Sequence, residues 1–227
     1  MKPFIPLHSW DVTPKEAIAI QRNLKEHLTL RWTNPSVTLV GGADVSYPKG
    51  GKTSYAVVIV MTVPDFEMVD VAWICQRLSF PYIPGLLAFR EVPALLEAWE
   101  NLRHYPDLIY VDGQGIAHPR SMGLATHLGI LLDVPSIGCA KTPLVGGEPV
   151  VGDAKGNHAP LIHRGEEVGV ALRTRTGVKP LYVSPGHRID LQTAMHWVLR
   201  ACVKYRLPEP LRRAHIMANR LRTTAAS

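Results

Sequence analysis

The stretch "SVTLVGGADVSYPKGGKTSYAVVIVMTVPDFEMVDVAWICQRLSF", Ser36–Phe80, decides how the chain folds. It holds three apolar runs. "SVTLVGGADVSY" is β-branched and carries Gly41-Gly42-Ala43-Asp44 toward its end. "YAVVIVMTV" is continuously apolar, and "MVDVAWICQRLSF" alternates in part. The connectors "YPKGGKTS" and "PDFE" have the Gly, Pro and Asp residues of turns. Strands joined by so few residues pair as antiparallel neighbours. The stretch therefore predicts a three-stranded meander, and the segments around it must cover or extend that sheet.

On the N-terminal side, "TPKEAIAIQRNLKEHLTL" opens with Thr13 and Glu16 spaced as a capping box and Pro14 at the first helical position. This predicts a helix over 14–30. On the C-terminal side the pattern changes. "LLAFREVPALLEAWENL" is helical, with Pro93 starting a fresh segment or kinking it. "DLIYVDG" is a short strand, "MGLATHLGILLD" a helix and "PSIGCAK" a strand. Alternating strands and helices imply parallel pairing with right-handed crossovers. "VGGEPVVGDAKGNHAP" reads as a long loop or hairpin. "EVGVALRT" and "LYVSPG" read as late strands, and "SPGH" around His187 as a turn before a helix. "DLQTAMHWVLRACVKYRL" and "EPLRRAHIMANRLR" close the chain as helices. The expected fold class is α/β, with a central mixed sheet of three antiparallel strands followed by parallel β-α units, flanked by helices. That is the plan of a ribonuclease H-like domain. No composition shift or repeat divides the chain, so one domain over 1–227 is expected.

With 227 residues and 46% of them hydrophobic, the chain can bury a substantial core. Its net charge of +6 favours an anionic partner, and nucleic acid is the commonest. The three cysteines, Cys75, Cys139 and Cys202, are widely spaced and form no C-x-x-C pair. Zinc and thiol-redox motifs are unsupported, and a reducing cytoplasmic setting is expected. "MKPFIPLHSW" lacks the apolar core of a signal peptide, and no apolar run is long enough to span a bilayer.

Acidic residues fall at informative places. Asp44 lies near the end of the first strand, and Asp112 ends "LIYVD" just before Gly113. Glu91 lies on the helix between the third and fourth strands. Acids at the ends of apolar strands are expensive to bury alone, and two on neighbouring strands repel unless a cation lies between them. Carboxylate oxygens suit magnesium or manganese. Each acid taken singly reads as a turn cap, but together on a basic chain they point to a metal site. Glu97, Glu100, Asp107 and Asp133 read as solvated structure. The glycine-rich "DGQGIAHPRSMG" after Asp112 allows close approach of backbone to a ligand. His118 and Lys141 fall at or just beyond the carboxyl ends of the parallel strands, the edge where α/β sheets bind ligands. Arg212, Arg213, Arg220 and Arg222 either track phosphates or solvate a helix face.

One segment is unusual. In "SFPYIPGLLAFRE", Ser79–Glu91, Tyr82 and Ile83 stand between Pro81 and Pro84. Each proline fixes its own φ and disfavours helix in the residue before it. The result is a stiff arch suited to pressing a side chain against something.

The runs "GGADVSY", "PYIPGLLAFRE", "VDGQGIAHPR", "DVPSIGCAKTPL" and "YRLPEP" resemble the endonuclease V family of deoxyinosine-specific repair nucleases, over most of the chain. Gln114 stands where many relatives carry histidine. The resemblance implies that Asp44, Asp112 and Glu91 bind Mg2+, with Mn2+ a substitute. It implies that His118 and Lys141 lie around the scissile phosphate, with His215 a further active-site residue. Tyr82 is the implied wedge in the base stack, with Ile83, Pro81 and Pro84 forming its arch. Gly85, Leu87, Gly113, Gly123, Gly138 and Leu144 are implied to line a pocket for the extruded base. The implied reaction is hydrolysis of the second phosphodiester bond 3′ to deoxyinosine or another deaminated base in DNA, leaving the lesion in place. Cleavage of inosine-containing RNA and non-catalytic binding of damaged DNA are the alternatives. No protein partner can be inferred.

Overall fold

The structure is a computed structural model that describes residues 4–33 and 36–225. The first three residues of the stretch weighed as a signal peptide lie outside it, as do both ends of the expected 1–227 unit.

Helix α1, Pro14–Leu24, begins at the predicted capping box. The Thr13 hydroxyl accepts from the Glu16 amide at 3.3 Å, and the Glu16 carboxylate accepts from the Thr13 amide at 2.7 Å. The helix is shorter than expected, because a tighter turn over Lys25–His27 ends it. The meander follows as β1, Leu39–Ser46; β2, Thr53–Thr62; and β3, Met68–Arg77. Helix α2, Leu87–Glu100, runs through Pro93 as one element. Then come β4, Leu108–Val111; α3, Leu124–Leu132; and β5, Ser136–Ala140. The chain continues through β6, His158–His163; β7, Glu166–Leu172; and β8, Leu181–His187. It finishes with α4, Leu191–Ala201, and α5, Glu209–Thr224.

All the strands join one eight-stranded sheet in the order β3-β2-β1-β4-β5-β8-β7-β6. The meander is antiparallel, β4 and β5 add in parallel to β1, and β8, β7 and β6 return antiparallel. The expected plan holds, but α4 stops at Ala201 where a helix through Leu207 was expected, and "SPGH" needs a correction. These residues are strand rather than turn, pairing Pro185 with Ile137 and His187 with Ser136 across a bulge. A proline is tolerated there because the ladder is already irregular.

The strand pleat sorts side chains to two faces. Val40, Leu108 and Tyr110 point to one face with α4 and α5, while Ala43, Ile109 and Val111 point to the other with α2 and α3. By the same alternation Asp44 and Asp112 both belong to the α5 face. Close approach of α5 fixes a glycine: a Cβ on Gly42 would overlap the backbone of Pro210 and Leu211. Only a residue without Cβ lets the start of α5 sit on β1.

Candidate active site

The pair Ala43 and Val111 face one another in the parallel β1–β4 ladder, and the Asp112 amide donates to the Ala43 carbonyl at 3.1 Å. The next residues, Asp44 and Asp112, therefore emerge side by side at the sheet edge. His215 reaches them from α5. Its Nδ1 lies 2.7 Å from Asp44 Oδ2 and 3.8 Å from Asp112 Oδ2. A carboxylate only accepts, so Nδ1 carries the proton toward Asp44. The Asn219 amide is placed to donate to Nε2 at 3.2 Å. Lys141, just past β5, donates to Asp112 Oδ2 at 2.5 Å.

One ligand atom each from Asp44, Asp112 and His215 all lie within 4.8 Å of one another. Two carboxylate oxygens and an imidazole nitrogen fit a divalent cation that accepts oxygen with some nitrogen. The electrostatics fit as well. Burial raises the Asp44 pKa, and the Asp112 charge pushes it further, against the hydrogen bond from His215. A cation there would relieve both effects.

Glu91 was expected as a third ligand, but in this compact set His215 takes that place. Glu91 comes from α2, on the other face of the sheet, and is buried. It is nonetheless near: burial raises its pKa well above the usual range, and the charges of Asp44 and Asp112 add to that rise. The Tyr47 hydroxyl hydrogen-bonds it, and the Arg90 guanidinium, 4.8 Å from the Tyr47 ring centroid, opposes the shift. Sequence reasoning missed Tyr47 and Arg90. Their signals were position only, at the end of β1 and next to Glu91.

The arch has two unequal residues. Tyr82 is 65% exposed, whereas Ile83 is half-buried against Phe80, Leu86 and Phe89. Tyr82 is thus the side chain held out, and Ile83 anchors the arch. Pro81 and Pro84 are exposed on either side. The arch ends at Gly85, whose φ of +79° is open to glycine.

Beside the arch is a cleft of about 290 Å³, lined by Tyr82, Asp112, Gly113, Lys141 and Leu144 among others. It adjoins a cavity of about 50 Å³ whose walls include Gly85, Leu87, Gln114, His118, Gly123 and Leu144. Gly138 lines neither; it lies in β5 directly beneath Gly113–Gly115, where a Cβ would meet backbone. His118, implied by the resemblance to lie around the scissile phosphate, stands in the cavity wall. Its Nδ1 accepts from the Arg120 and Met122 amides at 3.2 and 3.3 Å, so its Nε2 proton goes to the Gly85 carbonyl at 2.9 Å. Burial lowers its pKa to about 4, and it is neutral at pH 7.

The remaining candidates are structural. Glu97 and Glu100 are exposed on α2. Asp107 accepts from the Thr38 and Leu39 amides at the start of β1, and Asp133 pairs with Arg188 at 2.7 Å. Arg212 and Arg213 are both tied to Glu209. Among the described residues no helix is long and apolar enough to cross a membrane.

Known proteins share the sequence and the fold. The family model described as Endonuclease V matches residues 22–216. An endonuclease V from Myxococcus xanthus is 52% identical over 214 residues, covering 94% of this chain and 91% of the relative. The crystal structure of an endonuclease V from Streptomyces avermitilis superposes with a TM-score of 0.90 at 42% identity, over 98% of each chain. One from Ciona intestinalis, solved in complex with a 24mer DNA containing an inosine followed by a ribo-adenosine, has a TM-score of 0.81 at 28% identity, covering 93% of this chain and 98% of that one. The chain therefore belongs to the endonuclease V family and is a nuclease.

Proposed function

We propose that this protein nicks DNA at the second phosphodiester bond 3′ to a deoxyinosine, or another deaminated base, and leaves the lesion in place. The observation that carries the reading is the Asp44, Asp112 and His215 set, drawn within 4.8 Å at the mouth of a cleft that adjoins the small cavity. The inosine-containing DNA held by the Ciona intestinalis relative supports the choice of substrate. Mg2+, with Mn2+ as substitute, is the expected metal on these oxygen-rich ligands.

When bound, such a cation supplies a water of lowered pKa and positive charge opposite the leaving 3′ oxygen. The protein's own groups do the rest. Asp44, Asp112 and His215 would hold the cation, His215 first giving up the proton that it shares with Asp44. Lys141, paired with Asp112, offsets phosphate charge. Glu91, kept above the usual carboxylate range by burial and its acidic neighbours, is suited to exchange a proton with the attacking water. The small cavity receives the base. Its backbone-lined walls discriminate by shape and by N–H and C=O contacts, and hypoxanthine pairs weakly enough to be extruded at low cost. Tyr82 fills the gap left in the stack. One continuous sheet holds Asp44 and leads into Asp112 and Lys141, and α2 and α5, which carry Glu91 and His215, pack on it, which supports reading the chain as one domain. The free cysteines suit a cytoplasmic setting.

The test is a duplex bearing one deoxyinosine, incubated with and without Mg2+, with the cut mapped to the nucleotide. A matched RNA substrate separates the two nucleic acids. Asp44→Ala is expected to abolish nicking while binding of inosine DNA persists. Metal-independent cutting, or a nick elsewhere, refutes the reading.

A further inference from the structure

The cleft and the small cavity adjoin. Both are walled by Gly85, Leu87, Gln114 and Leu144, but Asp112 and Lys141 line only the cleft. Continuing past the cavity wall at His118, the surface opens into a groove of about 520 Å³, to which Pro119, Arg120 and Ser121 contribute. The groove shares no lining residue with the cleft, and it meets the cavity at a different wall from the one that leads to Asp112 and Lys141.

The groove is basic. Arg22 and Lys25 come from the end of α1 and the turn after it, Arg120 from the loop after β4, and Arg164 from the turn between β6 and β7. Glu166 is the one carboxylate among its lining residues. Arg22, Lys25 and Arg164 are exposed, and among the described residues none of the three is ion-paired. Arg120 is fixed instead by hydrogen bonds: Nη2 donates to the Gly85 carbonyl at 2.7 Å and Nε to Gln21 Oε1 at 2.6 Å. Gly85 and Gln21 are themselves cavity walls. The Arg22 charge lies close enough to add to burial in lowering the Arg120 pKa. Unneutralised cations gathered in an open groove, one of them bonded to the cavity wall, match a run of phosphates.

We infer that this groove holds the phosphates 5′ to the extruded nucleotide. The inference rests on the functional reading above, in which the scissile bond lies 3′ to the lesion. With the base in the cavity and the 3′ phosphates over Asp44 and Asp112, the same strand leaves the cavity on its 5′ side toward Arg120. Gripping the strand on that side holds the 5′ flank of the lesion while the base occupies the cavity.

The test compares two inosine substrates, one with a long 5′ extension and one with inosine at its 5′ end, identical on the 3′ side. The triple variant Arg22→Glu, Lys25→Glu, Arg164→Glu leaves Arg120 and the carboxylates untouched. On the extended substrate it is expected to bind roughly tenfold or more weakly. The slope of log K against log salt should be shallower by roughly two to three, at ~0.7–0.9 per phosphate contact. On the substrate lacking the extension it should match the wild type in binding. Equal losses on both substrates, or none on either, overturn the inference. If the triple variant does not fold, Arg164→Glu alone is compared, with the same two outcomes and a smaller effect. Failure of the wild type to nick either substrate would refute the functional reading instead, because the groove is judged on binding alone.

Discussion

Replacing Asp112 by Asn tests the metal reading most directly, since it keeps the shape and removes one charge. The ligand atoms of Asp44 and Asp112 lie within 4.8 Å, where two full charges repel by about 3 kcal/mol at an effective dielectric constant of roughly 20. Asp112 also pairs with Lys141 at 2.5 Å, an attraction of about 7 kcal/mol on the same scale that the exposure of Lys141 screens down to a comparable size. In chelator the substitution therefore removes one repulsion and one attraction, and stability should change by less than about 1 kcal/mol. With metal the two proteins should part. A ligand at roughly 100 times its Kd stabilises the native state by ~2.7 kcal/mol, and each kcal/mol moves Tm by ~2–4 °C in a protein of this size. The wild type should gain ~5–10 °C in saturating Mg2+ or Mn2+ over chelator. Asp112→Asn should gain under ~2 °C, with nicking lost. Thermal melts in matched buffers, paired with the nicking assay, measure this. An equal metal-induced shift in the variant would remove Asp112 from the site. A wild type that nicks but never shifts would refute a metal held by these residues before substrate binds.

Glu91→Gln should lower turnover more than affinity for inosine DNA; equal losses in single-turnover and binding measurements would assign Glu91 a structural role. Tyr82→Ala should leave thermal stability nearly unchanged, because the side chain is 65% exposed. It should weaken duplex inosine recognition by ~1–3 kcal/mol, with a smaller loss on single strands, and a duplex-to-single-strand ratio near one would deny it a wedge role. Stability should also depend on His127. It is fully buried, its Nε2 is 2.7 Å from His8 Nε2, and burial drives its pKa well below the ordinary value. The unfolded chain takes up a proton below about pH 6.5 and the native state does not, so stability falls as pH falls, by up to ~1.4 kcal/mol per unit. Urea unfolding of His127→Asn between about pH 7 and 5 should show a flatter slope than the wild type; parallel slopes would contradict the burial argument.

Much of the fold could be read from local chemistry. Short turns force Ser36–Phe80 into an antiparallel meander, and alternating runs force parallel additions to it. The capping box at Thr13 starts a helix wherever the rest of the chain goes. The "SPGH" strand could not be read this way, because proline and glycine signal a turn and only the β5 partner and its bulge make room for them. Helix α1 likewise stopped short of its periodic pattern, where the chain tightens into Lys25–His27.

The site divides along the same line. Asp44 and Asp112 were legible because an acid at the end of an apolar strand is costly wherever the strand lies, and strand period puts both on one face. What the sequence by itself could not determine is which third group meets them. His215 is distant in the chain, and it arrives because the glycine at position 42 lets α5 settle on β1. His118, near Asp112 in sequence, is turned away because backbone amides claim one ring nitrogen and Gly85 the other. The sequence determined the two acids, the stiff arch and the order of strands, since each follows from neighbours along the chain. The tertiary structure alone decided how closely the His215 imidazole meets the acids, the anchoring of Ile83 beneath Tyr82 and the gathering of Arg22, Lys25, Arg120 and Arg164, since those depend on packing between segments that share no local signal.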